Sequence, residues 1–134
     1  ILGKIQGNGL VSIGANSGNL VPLSSVVLHG DSTGFEGRIS VNRVNLFLNH
    51  DNALGGPKAD DEDDHKVKTG QPDQGFGYNF ISTEENRNIG TPVEVAQWQT
   101  VRGATSVPGM EGYGDQSLEF TGEVSQSNTR GWIN

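Results

Sequence analysis

Cysteine is absent from this 134-residue chain. That absence removes disulfides, cysteine-ligated zinc and thiol nucleophiles together. Aromatic residues are scarce, with two Trp, two Tyr and five Phe. Basic side chains number 9 against 16 acidic ones, and the net charge is −7. Binding to a nucleic-acid backbone needs clustered Lys and Arg, so this balance argues against such a partner. No apolar run approaches the roughly 18–20 residues that a membrane-spanning helix requires. None of the Asn residues stands in an Asn-x-Ser/Thr frame, which removes the usual N-glycan acceptor.

What is present is glycine, 20 residues of it, in a chain whose hydrophobic fraction is only 32%. The length allows one domain, expected to span residues 1–134. The first residue is Ile1 rather than Met, which fits a processed product. With few Lys and many Gly, Ser, Thr and Asn, the expected location is extracellular or at a cell surface.

Hydrophobic periodicity points to strands. In Leu118-Glu119-Phe120-Thr121-Gly122-Glu123-Val124-Ser125, apolar residues or Gly alternate with polar ones, the mark of a half-buried strand. Phe76, Tyr78 and Phe80 repeat the pattern, and residues 93–102 read as a further extended stretch. Leu10 to Ile13 and Val26 to Leu28 are shorter runs rich in branched side chains. Ile39 and Val41 share one parity while Val44, Leu46 and Leu48 share the other, so a β-bulge is expected near Asn42-Arg43. The one helix-like stretch is Thr83 to Arg87, closed off by Gly90 and Pro92. No internal repeat stands out. Six or seven strands punctuated by Gly, Pro and Asn predict an all-β fold, a single-domain antiparallel β-sandwich of jelly-roll type. One long acidic loop, residues 50–74, interrupts it, and loops of that length are usually functional or disordered.

That loop contains Asp60-Asp61-Glu62-Asp63-Asp64. Five adjacent carboxylates repel one another, and ordering them takes a cation or nearby Lys. Calcium, which accepts six to eight oxygen ligands, is the natural candidate cofactor. The EF-hand pattern is not met, because His65 stands where its Gly belongs and Gln71 where its bidentate Glu belongs. The other reading is a solvated loop balanced by Lys58, Lys66 and Lys68.

Catalytic signals are weak. Gly30-Asp31-Ser32-Thr33-Gly34 matches G-x-S-x-G, but a strand rather than a helix follows, so turn chemistry accounts for it better than a nucleophile elbow. No P-loop or dinucleotide motif is present. The expected function is therefore non-catalytic: a self-assembling structural subunit of a filament, tubule or layer. Its partner is a second copy, joined by strand complementation. Ile1, Leu2, Gly3, Ile5, Gly7 and Gly9 are the expected interface, within a donor or edge strand at residues 1–13. Their small side chains let the segment lie close to a neighbouring backbone. The alternative is a carbohydrate-binding module, in which Trp98, Tyr113 and Trp132 offer flat faces to sugar rings.

Overall fold

A computed structural model describes residues 3–14, 24–58, 65–69, 77–95, 99–102, 113, 116–126 and 132–133. These form the strands β1 (Leu10–Gly14), β2 (Ser24–Leu28), β3 (Arg38–Asn42), β4 (Val44–Leu48), β5 (Lys66–Thr69) and β6 (Gly77–Thr83). The series continues with β7 (Arg87–Ile89), β8 (Val93–Val95), β9 (Gln99–Arg102), β10 (Leu118–Phe120), β11 (Val124–Gln126) and β12 (Trp132–Ile133). Among the described residues there is no helix. The stretch expected to make a helical turn is instead the end of β6, a bend and the start of β7.

Every strand pairing among the described residues is parallel. The strands lie in two five-stranded sheets, ordered β1-β3-β5-β8-β11 and β12-β9-β6-β4-β2, and in the pair β10-β7. The chain visits the sheets in rotation, so each circuit adds one strand to each large sheet. On a third side, successive circuits are tied by backbone hydrogen bonds, from Glu36 N–H to Gly7 O (2.9 Å), Ser32 N–H to Asn52 O (3.1 Å) and Thr121 N–H to Ile89 O (2.9 Å). The result is a three-sided parallel coil of five turns, a β-solenoid.

The chain is thus all-β, but the antiparallel sandwich or jelly-roll expected from the sequence is not what forms. Alternation reports that one face of a strand is buried, and it carries no information on the direction of the neighbour. The phase flip at Asn42-Arg43 is real, yet its cause is a corner between two sheets rather than a bulge within one. Arg43 alone connects β3 to β4, and it does so in the left-handed region with φ 51°. Its N–H donates to Oδ1 of the buried Asn79, at 2.8 Å.

Parallel register stacks like positions into columns. Val11, Ile39, Val67, Val93 and Val124 form one inward column, and Ile13, Val41, Thr69 and Val95 form a second. In the other large sheet, Val26, Leu46 and Ile81 stack, beside Leu28, Leu48 and Thr83. The middle members of these columns are fully or almost fully buried and join one apolar core with Phe35, Ala53, Leu54 and Ile89. Burying each such Val, Leu or Ile contributes about 1.5–3 kcal/mol. Close stacking also demands glycine at Gly37, where a Cβ would lie 2.0 Å from Gly9 O in the turn below.

Candidate functional site

Ser32, in the G-x-S-x-G stretch, is 1% exposed. Its Oγ accepts a hydrogen bond from Ile5 N–H at 2.9 Å, so the hydroxyl joins two turns of the coil instead of facing a substrate. Asp31 beside it accepts from the hydroxyl and the N–H of Thr33, an arrangement that holds its carboxyl below the usual range. This is turn chemistry, as the sequence indicates.

His65 is a buried polar anchor, 3% exposed. Its Nδ1 lies 3.1 Å from Gly37 O and its Nε2 lies 2.8 Å from Gly56 O, while the ring packs edge-on against Phe35. A neutral imidazole donates to one of these carbonyls, and an imidazolium donates to both. Gly55, at φ 97°, passes over the ring so closely that a Cβ there would sit 2.5 Å from Cε1. The side chain holds the third side of the coil in place.

Arg87 gathers Glu84 and Asp51 (3.1 Å), with Glu85 at 4.0 Å. Partial burial pushes the Glu84 carboxyl up, but the hydrogen bond and charge of Arg87, aided by backbone and Thr83 hydrogen bonds, outweigh it and hold the group below its ordinary range. The Arg87 guanidinium is correspondingly held more firmly protonated, chiefly by Glu84. Nothing in this cluster resembles a nucleophile with an adjacent base.

Of the residues expected to bind sugar, Tyr113 stands edge-on to Phe47 at a centroid distance of 4.9 Å, and its hydroxyl donates to Asn49 Oδ1. Phe47 faces away from the core columns yet is 1% exposed, so Tyr113 helps to cover the outside of β4. Trp98 and the Trp132 side chain lie outside the described residues, and so do Asp60, Asp61, Glu62, Asp63 and Asp64, the expected calcium ligands. Among the described residues no three His, Asp or Glu side chains gather as a metal site. No helix among them is long and apolar enough to cross a membrane.

Of the expected interface, Ile1 and Leu2 also lie outside the described residues. Gly3, Gly7 and Gly9 each accept a backbone hydrogen bond from the next turn, from Gly30, Glu36 and Arg38 respectively. The edge strands β1, β2, β11 and β12 each have one hydrogen-bonded neighbour among the described residues. At the far end, Val124 occupies the inward Val11–Val93 column but is 46% exposed.

A feature that the sequence reading missed is a ladder on the outer face of the β1-β3-β5-β8-β11 sheet. Register places Leu10, Arg38 and Lys66 in one column, with Ser12, Ser40, Lys68, Glu94 and Ser125 in the next. Lys66 and Lys68 both reach Glu94, at 3.9 and 3.3 Å. The signal available in the sequence was a spacing of 28 residues between Leu10 and Arg38 and again between Arg38 and Lys66. Comparison of the chain with protein-family models, curated proteins and solved structures finds no match in any of the three.

Proposed function

We propose that this chain is a non-catalytic structural subunit that assembles end to end, extracellularly, through its edge strands β1, β2, β11 and β12. The observation that carries the reading is Val124, a core-column residue left 46% exposed on an edge strand. An exposed apolar position on a strand with one hydrogen-bonded neighbour among the described residues is a template for a further strand. All strands run the same way, so the β1-β2 end of one copy complements the β11-β12 end of the next. Such a contact is heterologous, and repeated copies then form an open fibre rather than a closed ring. The segment containing Gly3, Ile5, Gly7 and Gly9 lies on the first turn and contributes to that junction. In this reading the acidic run Asp60–Asp64 holds calcium.

Sedimentation velocity across a concentration series tests the proposal, with electron microscopy of the same samples. The expected result is concentration-dependent growth into filaments for the unaltered chain, and a monomer for Val124→Lys with unchanged β-sheet circular dichroism. An unaltered chain that stays monomeric at every concentration overturns it. So does a Val124→Lys variant that polymerises undiminished. For calcium, the expected result is a rise in melting temperature on adding the ion that Asp61→Asn with Asp63→Asn abolishes.

A further inference from the structure

We propose that the outer face of the β1-β3-β5-β8-β11 sheet binds an acidic saccharide chain, with a carboxylate or sulfate group seated between Arg38 and Lys66. The chain carries a net charge of −7, yet this face concentrates positive charge. Arg38 and Lys66 are direct register partners on adjacent strands, where like charges oppose each other. Lys68 lies two residues further along the same face of β5. Within this ladder Glu94 is shared by both lysines at long range, 3.9 Å to Lys66 and 3.3 Å to Lys68. Arg38 makes no ion pair among the described residues, and its five N–H donors suit a planar or tetrahedral oxyanion.

The surroundings fit a sugar chain better than a free ion. Arg38 lines an open cleft of about 160 Å³ with Asn8, Gly9 and Leu10. Leu10 is 58% exposed there and supplies an apolar contact for the face of a pyranose ring. Ser12 and Ser40 stand in the neighbouring column, offering hydroxyls to sugar hydroxyls. Strands about 4.8 Å apart repeat these groups along the coil axis, a spacing on the scale of one sugar unit. Net charge disfavours indiscriminate adsorption of polyanions to this protein, so retention of one requires a local site.

Isothermal titration of the full chain at low salt, with a heparin oligosaccharide, an oligogalacturonate and a neutral maltooligosaccharide as probes, tests the proposal. The first two distinguish sulfate from carboxylate, and the third reports on sugar contacts without charge. Expected are binding of at least one acidic probe, weakened about tenfold or more by Arg38→Ala with Lys66→Ala, and a loss of affinity as salt rises. Glu94→Gln, which frees both lysines, is expected to tighten binding. Thermal melts of the variants confirm that each is folded. Failure of both acidic probes to bind overturns the proposal, as does equal binding of the neutral one. Binding that the Arg38 and Lys66 substitutions leave unchanged in folded protein also overturns it.

Discussion

The inner turns of the coil and its two end turns are built from the same kinds of residue but bury them differently. Ile39, Val67 and Leu46, with a turn above and below, are 0% exposed. Ile5, Val11, Val26, Leu118 and Phe120, on the end turns, only pack partly against the core, and Val124 stands half in water. At these positions exposure follows the number of neighbours along the axis, although Ile13 and Leu28, on the same first turn as Val11 and Val26, are buried. Stability in such a stack is close to a sum over nearest-neighbour contacts. Turns with one neighbour among the described residues are then expected to open before the inner ones.

The sharpest way to break that contrast is to truncate one member of each class. Leu46→Ala, in the middle of a column, is expected to cost about 3 kcal/mol, whereas Val124→Ala at the end is expected to cost under about 1 kcal/mol. Urea unfolding of both variants under monomeric conditions measures the gap, and equal costs would mean that the end turns are as well packed as the middle. Next in size, His65→Ala leaves the Gly37 and Gly56 carbonyls without the imidazole and should cost about 2 kcal/mol. Its melting temperature should therefore fall well below that of Val124→Ala.

A stabilising change sharpens the comparison from the other direction. Thr69 is 0% exposed in a column of Ile13, Val41 and Val95, and its Oγ1 has no hydrogen-bond partner among the described residues. Thr69→Val should raise stability by about 1 kcal/mol, read as a higher urea midpoint with unchanged slope.

The smallest effect is electrostatic. Glu84 has its carboxyl held below the ordinary range in the folded state, so its pairing with Arg87 stabilises above the unfolded value and is lost as pH falls through the folded one. Glu84→Gln should cost no more than about 1 kcal/mol at neutral pH, because the pair is partly solvated. That cost should disappear on acidification below the ordinary glutamate range, which a series of melts from neutral to acid pH reads directly.

Extended segments were legible in the sequence, because alternation of the kind seen at Ile39-Ser40-Val41 needs only a wet face and a dry one. Their number was not: twelve strands form among the described residues where six or seven were expected. Leu118–Ser125 and residues 93–102, each read as one stretch, are each two strands in different sheets. The coil was not legible either. Leu10, Arg38 and Lys66 recur at 28 residues, but Ser24 pairs with Val44 after only 20, and Asn45 with Phe80 after 35. Connections of unequal length hide the repeat from any fixed period, and the stacked columns hold ordinary Val, Ile and Leu instead of a signature motif. The charged ladder was illegible for the same reason, since Arg38, Lys66 and Glu94 become neighbours only once the register is known. Ser32 was readable as turn chemistry from its Gly and Asp neighbours alone. His65 was not readable as an anchor, because its two carbonyl partners come from residues 28 and 9 positions away.

The corner at Arg43 has a consequence for where this chain tolerates change. One residue joins β3 to β4, whereas seven lie between β5 and β6 and nine between β1 and β2. An insertion at Arg43 would uncouple two sheets at once, shifting the frame for every strand that follows. The corner therefore works as a fixed datum from which the rest of the coil is measured out.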